Sequence, residues 1–196
     1  MTPAPARSLD DARITLAPLS FDNLYKHFEW NNDPELNRLD SELPYEPESL
    51  NRFKQRFEQM VYRPRSDAHD FEILAEDDTL IGVAYIGGLS LHHRHASIGV
   101  TIGDRDYWGT GHGRAALRAV MAHCFDELNL HRVAAETFEF NDAWRRLVVW
   151  AGFSKEGTAR DYLFRDEQYW DKELYALLAN EYYAWLDSNS NKPNIY

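Results

Sequence analysis

Residues 108–114, Trp108-Gly109-Thr110-Gly111-His112-Gly113-Arg114, put three glycines at alternate positions just before an apolar helical stripe. The stripe is Leu117, Val120, Met121, Cys124 and Leu128, spaced i, i+3, i+4, i+7 and i+11, the strongest helical periodicity in the chain. A glycine-rich turn feeding a helix start makes an anion site. The first helical turn has N–H groups with no intrahelical acceptor, and the aligned peptide dipoles add partial positive charge. Glycines let the main chain come close to the anion. Thr110 adds a hydroxyl and Arg114 a cation, so the guest is a phosphate or pyrophosphate. A tight strand-to-helix turn that binds nothing is the competing reading. G-T-G-H-G-R has neither the Lys-Ser/Thr ending of a P-loop nor the register of the dinucleotide GxGxxG pattern.

Other reactive side chains are more scattered. Glu136 and Glu139 close the segment RVAAETFEF, and Tyr162 lies in a later hairpin. His92, His93 and His95 crowd a turn, but no Cys, Asp or Glu stands at ligand spacing beside them, so no metal is expected. Cys124 falls in the apolar stripe and reads as a buried small side chain rather than a nucleophile.

The elements that must position these groups follow from pattern. RITLAPLS reads as a strand, and Phe21, Leu24, Tyr25 and Phe28 as a helix broken at Pro34. A second helix starts near Pro47, with Leu50, Phe53, Phe57, Met60 and Val61 on one face. FEILA and LIGVAYIGGL make a β-hairpin, and ASIGVTIG alternates as a third strand. After the stripe come a strand (132–138), a helix N-capped by Asn141 with Trp144, Leu147, Val148 and Ala151 on one face, and two closing strands. This order is a single mixed α+β domain, not a doubly wound sheet. Residues 1–9 and 187–196 read as flexible ends.

Composition limits the partners. The chain has 196 residues, with Lys plus Arg at 21 and Asp plus Glu at 32, a net charge of −11. Such a surface repels nucleic acid phosphates. No apolar run approaches a membrane span. One cysteine excludes an internal disulfide and fits a reducing cytoplasm. Glu29, Asp33, Glu35, Asp40, Glu42, Glu46 and Glu48 form an acidic run that either receives a cationic partner or faces solvent.

The segment IGVTIGDRDYWGTGHGRAALRAVMAHCFDELNLHRV resembles the central strand, pyrophosphate loop and following helix of the GCN5-related N-acetyltransferase superfamily. The family loop reads Q/R-x-x-G-x-G/A; Gly111 and Gly113 match it, and Trp108 departs at the first position. NDAWRRLVVWAGF resembles a further family segment through Asn141, Gly152 and Phe153, with Trp144 at a small-residue position. EGTARDYLFRDEQYWDKELYALL resembles the closing hairpin, and the resemblance runs over roughly residues 10–185. It lies nearest the branch acting on ribosomal-protein N-termini and on spermidine. It implies a central, mostly antiparallel sheet with flanking helices and acetyl-CoA as cosubstrate. The loop, Trp108 to Arg114 with His112 included, would hold the pyrophosphate, Val100 to Ile102 would meet the pantetheine arm, and Asn141 would bond that arm. The implied activity is transfer of acetyl to a primary amine, on a protein N-terminus, a polyamine or another small amine, by direct attack in a ternary complex. A homodimer is implied only by analogy. Two familiar catalytic positions are occupied by Ser97 and Val148 instead of Glu and Tyr. Glu136, Tyr162 and Ser97 remain as catalytic candidates, and a non-catalytic acyl-CoA-binding module is the alternative.

Overall fold

The computed structural model describes residues 12–190; the first nine residues and the last six, expected as flexible, lie outside that range. In chain order the elements are β1 (Ile14–Pro18), α1 (Leu24–Asn31), α2 (Pro34–Asp40), α3 (Leu50–Tyr62), β2 (His69–Ala75), β3 (Leu80–Ser90) and β4 (His95–Ile102). They continue with α4 (His112–Ala122), β5 (Arg132–Phe138), α5 (Asp142–Trp150), β6 (Ser154–Arg165), β7 (Gln168–Leu178) and α6 (Ala179–Ser190). The strands form one sheet in the order β1-β2-β3-β4-β5-β7-β6. All neighbours are antiparallel except β4 and β5. The α+β architecture expected from the element order is therefore the one observed.

The parallel contact is short. It runs from His95↔Arg132 through Ser97↔Ala134 and stops. Both strands continue, to Ile102 and Phe138, without pairing to each other. The sheet opens there into a V. Because parallel ladders offer regularly spaced bonds, an open stretch leaves main-chain groups of both strands in need of partners.

Apolar alternation covers both faces. Ile73, Ile86 and Ile98 from the sheet pack with Leu117, Val120 and Met121 of α4, all essentially buried. Leu24 of α1 and Phe53 and Phe57 of α3 form a smaller core on the opposite face. Beyond Ala122 the helix widens into a π turn, His123–Glu127, which keeps Cys124 and Phe125 buried. Burial pushes the Cys124 thiol up to about 12, so it is an inert packing group, as its place in the stripe implies.

Two helices escape the sequence pattern. The break expected at Pro34 is present, since α1 ends at Asn31, but Pro34 also begins a helix, α2, with Asp33 accepting from the Glu35 and Leu36 amides. Asp as N-cap and Pro at the first helical position are a start signal. At the other end α6 extends through residues 187–190, which the sequence pattern assigns to a flexible end. It is fixed by Tyr182, stacked on Phe125 and donating to Asp126 Oδ2, and by Trp185 against Trp150. The helix α3 starts at Leu50 rather than at Pro47, capped by Ser49 Oγ.

One buried charge ties α1 to the sheet. Glu72 of β2 is 2% exposed and accepts from the Ser20 amide, Asn23 Nδ2 and His27 Nε2 at 3.0, 2.7 and 2.8 Å. Burial alone would raise its pKa, but these hydrogen bonds outweigh it and hold the carboxyl below its ordinary range. A lowered folded value gives stability that is full above the unfolded pKa and lost as pH falls through the folded one. Glu72→Gln should cost about 1–3 kcal/mol at neutral pH in a denaturant titration and cost less as the pH drops below about 4. A loss that grows on acidification would contradict this assignment.

Candidate active site

The glycine turn is built by its own sequence. A single 3-10 turn, Arg105–Tyr107, follows β4 and is capped by Asp104, which accepts from the Asp106 amide. Arg105 then clamps the turn to the start of α2, 2.8 Å from Asp33 and 2.9 Å from Glu35. Gly109 and Gly111 take left-handed φ values of 71° and 95°. Gly113 is ordinary helix, and an added Cβ there would meet only Leu147 Cδ2, at 3.6 Å. Gly111 is the N-cap of α4 and has no side chain to cap its amides. The first intrahelical bond is Ala115 N–H to the Gly111 carbonyl. Thr110 turns inward: its hydroxyl donates to the Tyr107 carbonyl at 2.6 Å and lies 2.8 Å from His112 Nδ1. Its proton is therefore committed within the turn, so the main chain, not this hydroxyl, is what the turn offers an anion.

Two indoles hold the V open. Trp108 Nε1 donates to the Ile102 carbonyl at 2.7 Å, on the β4 arm. Trp144 Nε1 donates to the Glu136 carbonyl at 3.0 Å, on the β5 arm. Both carbonyls would have been ladder acceptors had the strands stayed paired. Strand alternation turns the Val100 amide and carbonyl to the same side as Ile102, toward the opening.

Between the arms lies a cavity of about 650 Å³. Gly109, Gly111, Gly113 and Arg114 line one end; Val100 and Ile102 line its wall; Asp40, Tyr85, Glu136 and Lys172 line the other end. Tyr85 reaches this position because residue 99 is glycine: a Cβ there would sit 2.0 Å from the tyrosine ring. Enclosure, with the Asp40 and Glu136 carboxylates nearby, pushes the Tyr85 hydroxyl up to about 12. Lys172 binds Glu136 and also Glu42, the latter at 2.7 Å. Burial opposes its charge, but the two carboxylates prevail and keep the ammonium above its ordinary range. Glu42 is held low, mainly by its hydrogen bond from Lys172. Asp40 forms no ion pair among the described residues; it is reached by solvent through the cavity, and the surrounding protein raises its carboxyl above the ordinary range.

The expected candidates separate cleanly. Glu136 lines the cavity but is paired to Lys172. Tyr162 does not line it; its hydroxyl donates to Glu42, 3.1 Å away. Ser97 sits at the last paired position, outside the cavity wall. Glu139 accepts from the Asp171 amide, and at the far β3–β4 turn His93 meets His92 edge-on and stacks with His95. Asn141 lines the cavity while capping α5 through the Trp144 amide and donating to the Leu39 carbonyl. Neither Asp40 nor Tyr85 stands out in the sequence as a reacting group. Gly99, opposite Tyr85 in the hairpin alternation, is the available signal.

The sequence matches the family described as acetyltransferase (GNAT) domain over residues 13–154. The chain belongs to the GNAT acetyltransferase family. It is 32% identical over 99 residues to the uncharacterized N-acetyltransferase YoaA of Bacillus subtilis, covering 50% of this chain and 55% of that protein. It is 33% identical over 103 residues to the ribosomal protein uS5 alanine N-acetyltransferase of Escherichia coli, covering 52% and 53%. The chain thus spans about half the length of both curated relatives. Its fold superimposes on spermidine N-acetyltransferase from Vibrio cholerae, solved with CoA and spermine, with a TM-score of 0.78 at 22% identity over 87% of this chain and 98% of that one. In this GNAT domain the two departures from the family pattern, Trp108 and Trp144, are the two indoles that cap the opening. Among the described residues no helix is long and apolar enough to cross a membrane, and no group of side chains could hold a metal ion.

The turn geometry makes the three loop glycines unequal. Gly111→Ala should destabilise the domain by about 1 kcal/mol, because L-residues resist the left-handed region, whereas Gly113→Ala should be neutral or stabilising by about 0.5–1 kcal/mol. Thermal denaturation of the two variants checks this; equal losses would contradict it.

Proposed function

We propose that this protein is a cytoplasmic enzyme that transfers the acetyl group of acetyl-CoA to a primary amine by direct attack within a ternary complex. The observation that carries the reading is the convergence of three features on one cavity. They are the uncapped start of α4, the open main chain at Val100, and a carboxylate, Asp40, with no ion pair. The cavity fits the donor. Amides at residues 109–114 suit a diphosphate, with Arg114 beside them, and the β4 arm offers an edge to an extended amide-bearing chain. When bound, acetyl-CoA supplies an acyl group already activated as a thioester.

The acceptor must arrive uncharged at nitrogen. An alkylamine with a pKa near 10.4 is neutral in about one molecule in 2,500 at pH 7. Asp40 receives the ammonium proton, a task for which a raised carboxyl pKa is suited. The Val100 amide, turned into the opening, donates to the carbonyl oxygen as it gains charge. Tyr85, fully protonated at neutral pH, offers a hydroxyl to the departing sulfur. Lys172, fixed between Glu136 and Glu42, keeps the β7 side of the cleft rigid.

Thiol release should appear only when acetyl-CoA and an amine are both present. Asp40→Asn should lower kcat by about a hundredfold or more and leave the KM for acetyl-CoA within about twofold. An unchanged kcat would remove Asp40 from the chemistry. CoA binding with no amine-dependent thiol release would overturn the enzyme and favour an acyl-CoA-binding module.

A further inference from the structure

A second cavity, of about 400 Å³, lies beneath α1, α2 and α3 on the face of the sheet opposite α4. It joins the first through shared walls: Leu36, Asp40, Tyr85 and Thr101 line both. Its interior is an unusual mixture. Trp30, Phe53, Phe57 and Phe71 supply aromatic faces. Asp70 of β2 lies in register with Tyr85 of β3, on the same face, and makes no ion pair among the described residues. Asn37 of α2 also lines it, and its Oδ1 is buried without a hydrogen-bond partner among the described residues. A buried acceptor left unpaired costs free energy, so a donor belongs there.

The positive groups of this wall are already engaged. Arg56 bonds Glu48 and Asn31, at 2.8 and 2.9 Å, and His27 bonds Glu72. What remains open is one amide oxygen and two carboxylates, Asp40 at the doorway and Asp70 inside, among aromatic rings. That set accepts hydrogen bonds, carries negative charge and presents π faces, which is the chemistry of a site for an alkylammonium group.

We infer that the acceptor is an aliphatic amine with at least two amino groups: one passes its ammonium proton to Asp40 and is then acetylated at nitrogen, and another stays charged and lodges in the second cavity against Asp70 and Asn37 Oδ1. This rests on the acetyl-transfer reading and adds its specificity. A methylene chain crossing the doorway lies between Leu36 and the Tyr85 ring, and the trailing ammonium compensates both the Asp70 charge and the unpaired Asn37 oxygen. A neutral or monocationic acceptor leaves them as they are.

The test compares spermidine, butylamine and an alanyl peptide as acceptors, in the wild type and in Asp70→Asn and Asn37→Leu. Spermidine should exceed butylamine in kcat/KM by about tenfold or more, and each substitution should collapse that ratio toward one. Titration calorimetry of spermidine into the CoA-loaded protein provides a readout without turnover: binding should be measurable in the wild type and weakened about tenfold in both variants. Two variants guard against a fold defect in either one, and their thermal midpoints should stay near that of the wild type. Butylamine or the alanyl peptide equalling spermidine, with both substitutions silent, would overturn the second-ammonium site while leaving acetyl transfer intact. Spermidine binding that depends on Asp70, with no thiol release from any amine, would support the site and sink the acetyl-transfer reading.

Discussion

Everything in this molecule that can do chemistry follows from a parallel strand pair that lets go after Ser97 and Ala134. A paired ladder would have consumed the Val100 amide and carbonyl. The separation exposes them, and it also creates two orphaned carbonyls, at Ile102 and Glu136. Both are met by indole N–H groups from the segments that follow each strand. Separation therefore costs little in unsatisfied hydrogen bonds, and only the middle of the opening stays available to a guest. The same strand that opens the sheet leads through Arg105 and the glycine turn into α4, so the uncapped start of α4 and the open edge are fixed relative to each other by a short, well-anchored stretch of chain.

Charge is arranged as tightly as the backbone. The acidic run between α1 and α3 looks uniform in sequence, but its members do different things. Asp33 and Glu35 restrain Arg105 and hence the glycine turn. Glu48 restrains Arg56, and Glu42 restrains Lys172. Arg105, Arg56 and Glu42 are each about half exposed while Asp33, Glu48 and Lys172 are shielded, so each pair ties an outer side chain to a fixed inner one. Asp40 stands apart from them, at the junction of the two cavities, and the protein around it raises its carboxyl above the ordinary range, whereas pairing with Lys172 holds Glu42 low. The reading of the run as a solvated face does not describe Asp33, Glu35, Glu42 and Glu48, which hold cations, nor Asp40, which the end of α2 places on the walls of both cavities.

The central elements are legible because strong period-two and helical patterns coincide with their burial: β3, β4 and α4 carry the core, and their apolar residues announce it. The helix α2 is only seven residues and buries one of them, Leu36, so hydrophobic spacing has little to report; its signal is the Asp33-Pro34 start. The helix α6 mixes tyrosine, tryptophan and polar residues with weak periodicity, and tertiary contacts at Tyr182 and Trp185 hold it. In the site, the glycine turn can be read directly, because left-handed backbone demands glycine. Trp108 and Trp144 read as departures from a pattern, since the need for an indole N–H appears only once the strands are known to separate. Asp40, Tyr85 and Asp70 lie far apart in sequence and meet only through strand register and helix packing, which spacing along the chain does not encode.

Residue-resolved amide hydrogen exchange with and without CoA addresses the open strand edge and the glycine turn most directly. CoA should slow exchange at Val100 and across residues 109–114, and leave the already paired amides of Ala96 and Ala134 unchanged. Protection confined to other segments, or none at Val100 under saturating CoA, would contradict a cofactor seated between the separated strands.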